Sequence, residues 1–319
     1  MLGSQDVTRL RFGISPGNEL SSGVCALQAP QGAPLQWGWL KAVSSRIPTS
    51  AWDVITTVIP PTGYYPDFLA TDPAWDLTPE GEAEALRQVD LDRVVRDLTK
   101  VATRATGRRH HDLEGMLRSP ARARTQIADA WVEVWDAVLA PHWDHLRRLL
   151  EADVARRARQ VAETGVQDMI DKLHERVRWT DGRVRVTMRI WSEEVHCQGS
   201  GLLLVPTVLG APWCSVVTEA PATPTLYYPA AGMSPSWPTN SQGRDTALVK
   251  LLGVGRASVL MALEIPRSTS DVARACDLAI STASHHLAVL RDARLVEAHR
   301  AGSSVYHSRT PLAESLVAP

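Results

Sequence analysis

"STASHHLAVLRDARL", residues 281–295, sets two adjacent histidines between small hydroxyl residues and a leucine-rich run. Ala283, Leu287 and Leu290 fall at i, i+4 and i+7, the spacing that lines side chains along one stripe of an α-helix. If that stripe is anchored, Ser281, Thr282, Ser284 and His285 project from the first turns toward whatever the helix faces. Short hydroxyls can donate to or accept from phosphates and base edges, and small residues allow close approach. His286, on the flank of the stripe, reads as a packing or hydrogen-bonding residue. The two rings do not read as a metal pair, because adjacent helical residues point about 100° apart.

Just upstream, "STSDVARACDL" (268–278) predicts a short helix with Ser270 as N-cap and Val272, Ala273 and Cys276 turned inward. Two short helices joined by a few residues make a helix-turn-helix, whose second helix enters the major groove N-terminal end first. Before it, "TALVKLLGVGRASVLMALEI" (246–265) is apolar enough for the buried helices of a small domain, and Pro266 ends it. Downstream, "LVEAHRAGSSVYHSRT" (295–310) predicts a β-hairpin about Gly302. A hairpin after a recognition helix is a wing, and Arg300 and Ser303 are its expected phosphate contacts.

These residues resemble the ArsR-type winged-helix repressors of bacteria. The shared pattern, S-x-x-S-H-H-L-x-V-L-R-D-A followed by L-V and G-x-x-V-Y, falls here on Ser281, Ser284, His285, His286, Leu287, Val289, Leu290, Arg291, Asp292, Ala293, Leu295, Val296, Gly302, Val305 and Tyr306. Upstream, "PPTGYYPDFL", "GSGLLLVPTV" and "TLYYPAAG" resemble the longer actinobacterial versions, which carry a large N-terminal domain. The resemblance implies DNA binding as a homodimer. Metal-sensing members cluster cysteines in the first helix of the motif, whereas Ser268 to Ala275 holds none, and "TPLAESLVAP" has no His or Asp pair. A metal sensor is therefore not expected. Ser303 and Ser304 stand where many relatives have cations, which implies weaker or less salt-dependent DNA binding.

The remaining chain has the makings of a second domain. All eleven tryptophans of the 319 residues precede residue 241. Residues 241–319 carry nine Lys and Arg against seven Asp and Glu, a mild positive balance within a net charge of −1. "YYPAAGMSPSWPTNSQGRD" (227–245) is dense in Pro, Gly, Ser and Asn and reads as a linker. Domains are therefore expected at 1–235 and 244–319. In the first, Thr78 and Pro79 open a helical region as N-cap and first helical residue. Ile127, Trp131, Val134, Trp135 and Val138 repeat at helical spacing until Pro141, and a second long pattern runs to about residue 178. "RVRVTMRIW" (183–191) then alternates apolar residues with arginines, a strand with one wet face, and three more apolar runs follow. The fold class expected is α+β: a helical N-terminal domain with a small antiparallel sheet, then a C-terminal winged helix-turn-helix.

Several functions are disfavoured. No basic start precedes an apolar run, and no uncharged apolar stretch reaches about 18 residues, so a cytoplasmic protein without membrane contact is expected. Cys25, Cys197, Cys214 and Cys276 lie far apart, as reduced thiols rather than a disulfide framework or zinc site. His110–His111 and His142/His145 lack a third clustered ligand. No nucleophile elbow, H-E-x-x-H, P-loop or dinucleotide pattern is present, which argues against an enzyme, and no cofactor is expected. Tryptophans favour core packing; the functional alternative is an aromatic-lined pocket for a small aromatic or apolar ligand, with Trp131, Trp135, Trp191 and Trp213 as its candidates. The reading that emerges is a homodimeric transcriptional regulator, a repressor by resemblance, acting on double-stranded DNA. Its alternative is a ligand-binding or protein-interaction protein with a vestigial winged helix.

Overall fold

The computed structural model of the protein describes residues 9–180, 183–187, 197, 199–219, 222–231, 251–276, 278–302 and 304–317. The chain divides into two compact units, 1–28 with 43–232 and 29–42 with 233–319.

The first unit opens with β1 (Arg11–Phe12) and α1 (Pro16–Gln28). After residues 29–42 it resumes with helices α3 (Thr49–Val58), α4 (Pro79–Gln88), α5 (Leu91–Ala102), α6 (Gly107–Leu117), α7 (Pro120–Val138) and α8 (Trp143–Asp171). Thr78 caps α4 as its sequence predicts, its hydroxyl accepting from the Gly81 amide at 3.1 Å, and Pro79 occupies the first position, where a missing N–H costs nothing. Helix α7 is the hub: α3, α4, α5 and α6 all pack on it. Ile127, Trp131, Val134 and Val138 are accordingly buried. Helix α8 breaks at Gly165, whose φ of 87° only glycine adopts freely. Arg157 Nη1 donates to the Lys172 carbonyl at 2.9 Å, 15 residues on. An unbroken helix would carry that carbonyl about 22 Å away, so the chain folds back at the glycine.

The α+β reading holds, and the strands divide between two sheets. β2 (Val177–Thr180) and β3 (Arg183–Val186) form an antiparallel ribbon. β4 (Leu203–Thr207), β5 (Ser215–Val217) and β6 (Thr225–Pro229) join β1 in the order β1-β4-β6-β5. There β5 pairs antiparallel with β6, while β1, β4 and β6 run parallel. Strand β4 is buried along its whole length, as a sheet covered on both faces requires. The expected linker began at Tyr227; instead Tyr227 to Pro229 belong to β6, and residues 232–245 lie outside the described residues.

Two buried carboxylates tie α1 to this unit. Glu19 accepts from the amides of Val208 and Leu209 at 3.0 and 2.9 Å. Glu82 of α4 accepts from Gly17 at 3.1 Å and from the Thr71 amide and hydroxyl at 2.6 Å each. Gly17 is required there, because a Cβ would lie 2.2 Å from the Leu69 carbonyl oxygen.

The second unit holds α9 (Val254–Ala262), β7 (Arg267–Ser268), α10 (Thr269–Ala275), α11 (Ile280–Asp292), β8 (Val296–Ala301), β9 (Ser304–Arg309) and α12 (Pro311–Val317). Its sheet runs β7-β9-β8, all antiparallel. Residues 29–42, expected with the first domain, group here. They hold two 3-10 turns and most of helix α2 (Trp37–Val43). The Pro30–Gly32 turn packs on β8, and Lys41 Nζ lies 2.8 Å from Glu314 Oε1 of α12. Both links are tertiary and leave no periodic trace in the sequence.

Candidate nucleic-acid interface

The helix pair is built from short-range signals. Ser268, not Ser270, caps α10: its hydroxyl accepts from the Asp271 amide at 3.2 Å and donates to the Asp271 carboxylate at 2.6 Å. β7 delivers the chain in extended backbone at Ser268, which makes the cap possible two residues earlier than the sequence suggested. The turn closes where the Leu278 amide reaches the Ala273 carbonyl at 2.8 Å. Ala279 then enters α11 in extended conformation with no side-chain oxygen to offer. The first-turn N–H groups of α11 thus lack a side-chain cap, and such a helix end favours an anion.

Ala283, Leu287 and Leu290 are 0, 2 and 1% exposed, and they pack with Ala257, Leu260, Val272, Leu295 and Val296. This apolar seam fixes the rotation of α11. Ser281, Thr282, Ser284 and His285 are exposed on its other side. His286 is half-buried over α9, where its Nε2 lies 2.7 Å from the Cβ that Gly255 lacks. One histidine faces solvent and the other packs, and their ring centroids stand 5.9 Å apart. Among the described residues neither joins a group able to hold a metal.

The wing is the β8–β9 ribbon, with Ala301 paired to Ser304 and Gly302 at φ 62° in its turn. Arg300 is exposed opposite Val305, itself 46% exposed; Ser303 lies outside the described residues. At the base of the wing, buried Arg309 donates from Nε to the Leu260 carbonyl at 2.7 Å and from Nη2 to Met261 at 2.8 Å. It gives the last carbonyls of α9 a second donor beside the Leu263 and Glu264 amides, which reach them at 3.3 and 3.1 Å. His307 is buried too, which lowers its pKa and keeps the ring neutral, and it contacts the Thr269 hydroxyl at 3.2 Å. The sequence reading missed Ile280, 60% exposed at the start of α11, and exposed Arg291 on its last turn. Neither shows a periodic signal; only the seam's orientation places them outside.

In the first unit, Trp131 and Trp135 stack on each other at 5.1 Å and 4°, and Trp143 meets Trp135 edge-on at 5.0 Å. Trp213 instead is 39% exposed, under the Arg176 guanidinium at 5.1 Å, and Trp191 lies outside the described residues. Asp67, Asp97 and Glu219 form the group among the described residues with a metal-like arrangement. Lys100 already shares this group, bonded to Glu219 and 3.7 Å from Asp97.

Two family models match the chain. One, described as a helix-turn-helix domain, matches residues 256–299, from α9 into β8. The other, described as a family of unknown function (DUF5937), matches residues 77–234. No curated protein and no solved structure matches. The fold and the first match together make the second unit a helix-turn-helix domain, which marks the chain as a DNA-binding regulator. No described helix is long and apolar enough to cross a membrane.

Proposed function

We propose that the protein is a regulator of the ArsR type, without metal sensing, that reads double-stranded DNA as a homodimer and represses transcription. The supporting observation is the open edge of Ser281, Thr282, Ser284 and His285 above a fully buried seam. Ser284 and His285 read base edges, Arg300 and Ser303 meet phosphates, and a two-fold pair of α11 helices spans half-sites about 34 Å apart.

The first unit, close to the expected 1–235 domain, supplies the input. Its effector is a small aromatic or apolar molecule near Trp131, whose buried indole N–H has no hydrogen-bond partner among the described atoms. Such a molecule regulates only by binding one DNA-binding arrangement better than another. Quenching of tryptophan fluorescence by a panel of such compounds, lost in Trp131→Phe, tests this.

DNA binding is tested by titrating duplexes at two salt concentrations. His285→Ala should narrow the gap between specific and random DNA by about 1–3 kcal/mol. Arg300→Ala should weaken both alike and lower the salt slope by about one. Equal losses on both duplexes for both variants would contradict the split of roles. The second reading, a protein-interaction module with a vestigial winged helix, is favoured by the near-neutral charge; it predicts that the wild type binds no duplex even at low salt.

A further inference from the structure

The β2–β3 ribbon of the first unit has two unlike faces. Val177 lies opposite Val186 and Trp179 opposite Val184, and these four pack with Met169, Ile170 and Leu204. Because side chains alternate along a strand, Arg178 opposite Arg185 and Thr180 opposite Arg183 share the other face, and all four are exposed. Arg176, two residues before Arg178, extends that face; its carbonyl accepts from the Thr187 amide at 2.9 Å, and its guanidinium lies over exposed Trp213.

Like charges directly opposite each other destabilise an antiparallel pair. Arg178 relieves part of this by turning Nη1 back to the carbonyls of Val177 at 2.8 Å and of Asp171 and His174 at 3.3 Å. No described carboxylate lies between Arg178 and Arg185. Over residues 172–189 the sequence carries six Lys and Arg against two Asp and Glu. Folding alone does not explain an arginine opposite an arginine; a bound polyanion does, because an anion between the two turns repulsion into attraction.

We infer that the arginine face of β2–β3 docks on the phosphate backbone of double-stranded DNA, as a second contact beyond the recognition helix and wing. This rests on the DNA-binding reading above. Guanidinium groups match phosphate oxygens two at a time. Arginines at alternate positions stand about 7 Å apart along a strand, and a duplex carries a charge per about 1.7 Å of axis, dense enough to meet every one. Phosphate contacts position a protein and carry no sequence information, so this face adds affinity without specificity.

The test uses the full chain and a random-sequence duplex, with affinity followed against salt concentration. Arg185→Gln should lower the log–log salt slope by about one and weaken binding several-fold near 0.1 M salt, equally on any sequence. Arg185→Thr should lower the slope by about one while leaving the melting temperature unchanged or raised, since it removes the repulsion with Arg178; this separates lost contact from lost fold. An unchanged slope in the ribbon variants, with a lowered one in Arg300→Ala, overturns the inference and leaves the regulator reading standing. If no variant and no wild-type protein binds duplex, both fall. Binding of polyglutamate but not duplex through these arginines also overturns it, in favour of an acidic protein partner.

Discussion

Arg294 adopts a φ of 57°, unusual for a residue with a Cβ. It sits just past α11, where its amide reaches the Arg291 carbonyl at 2.8 Å and the Leu295 amide reaches Leu290 at 2.8 Å. That pair of bonds is a Schellman closure, whose left-handed position favours glycine. Arg294→Gly should raise stability by about 1 kcal/mol, read by chemical denaturation; a loss would mean that the arginine side chain is engaged elsewhere. The histidine pair makes a related point. Two identical imidazoles, His285 and His286, take different roles because they stand about 100° apart on one helix. Glu19 and Glu82 show burial acting on single groups. Desolvation raises each carboxyl to about 7, against the hydrogen bonds from Thr207, Leu209 and Val208 to the first and from Thr71 and Gly17 to the second. A folded pKa above the unfolded 4.5 means stability that is complete below 4.5 and lost as pH rises through about 7. Asp67, also raised to about 7 by burial and by Asp97, acts with the same sign. The lowered histidines His142, His174 and His307 act oppositely, but below their ordinary 6.5. Melting temperature should therefore fall between pH 6.5 and about pH 8, and Glu19→Gln/Glu82→Gln should flatten the fall.

Among the elements, α11 carries the most function and depends on its seam. Leu287→Ala removes a side chain that is 2% exposed and should cost about 2–5 kcal/mol in the second unit. Hydrogen exchange along 280–292 should accelerate, and duplex affinity should fall with it; exchange unchanged along α11 would mean the seam does not hold the helix. The periodicity of Ala283, Leu287 and Leu290 was legible because a helix buried on one face imprints its period on the sequence. Helix α7 was legible for the same reason. The N-cap of α10 was not: Ser268 and Ser270 are equally able to cap, and the extended entry through β7 decided between them. The break at Gly165 was hidden as well, since the residues on either side continue a helical composition and only the positive φ ends it.

Over the whole molecule, a net charge of −1 conceals a cationic face on the β2–β3 ribbon. The alternation of arginines at 183–189 pointed to a wet strand face, yet said nothing of Arg178 standing across from Arg185, because register is set by pairing rather than composition. The grouping of 29–42 with the winged unit was equally invisible. The α+β class, the helix-turn-helix, its wing and its exposed edge followed from sequence alone, since each rests on contacts a few residues apart whose spacing the chain itself carries. Tertiary structure alone decided the parallel pairing of β1, β4 and β6 and the burial of Glu19 beside residues 208–209. Those depend on contacts between distant segments, and local spacing holds no record of which distant segment arrives.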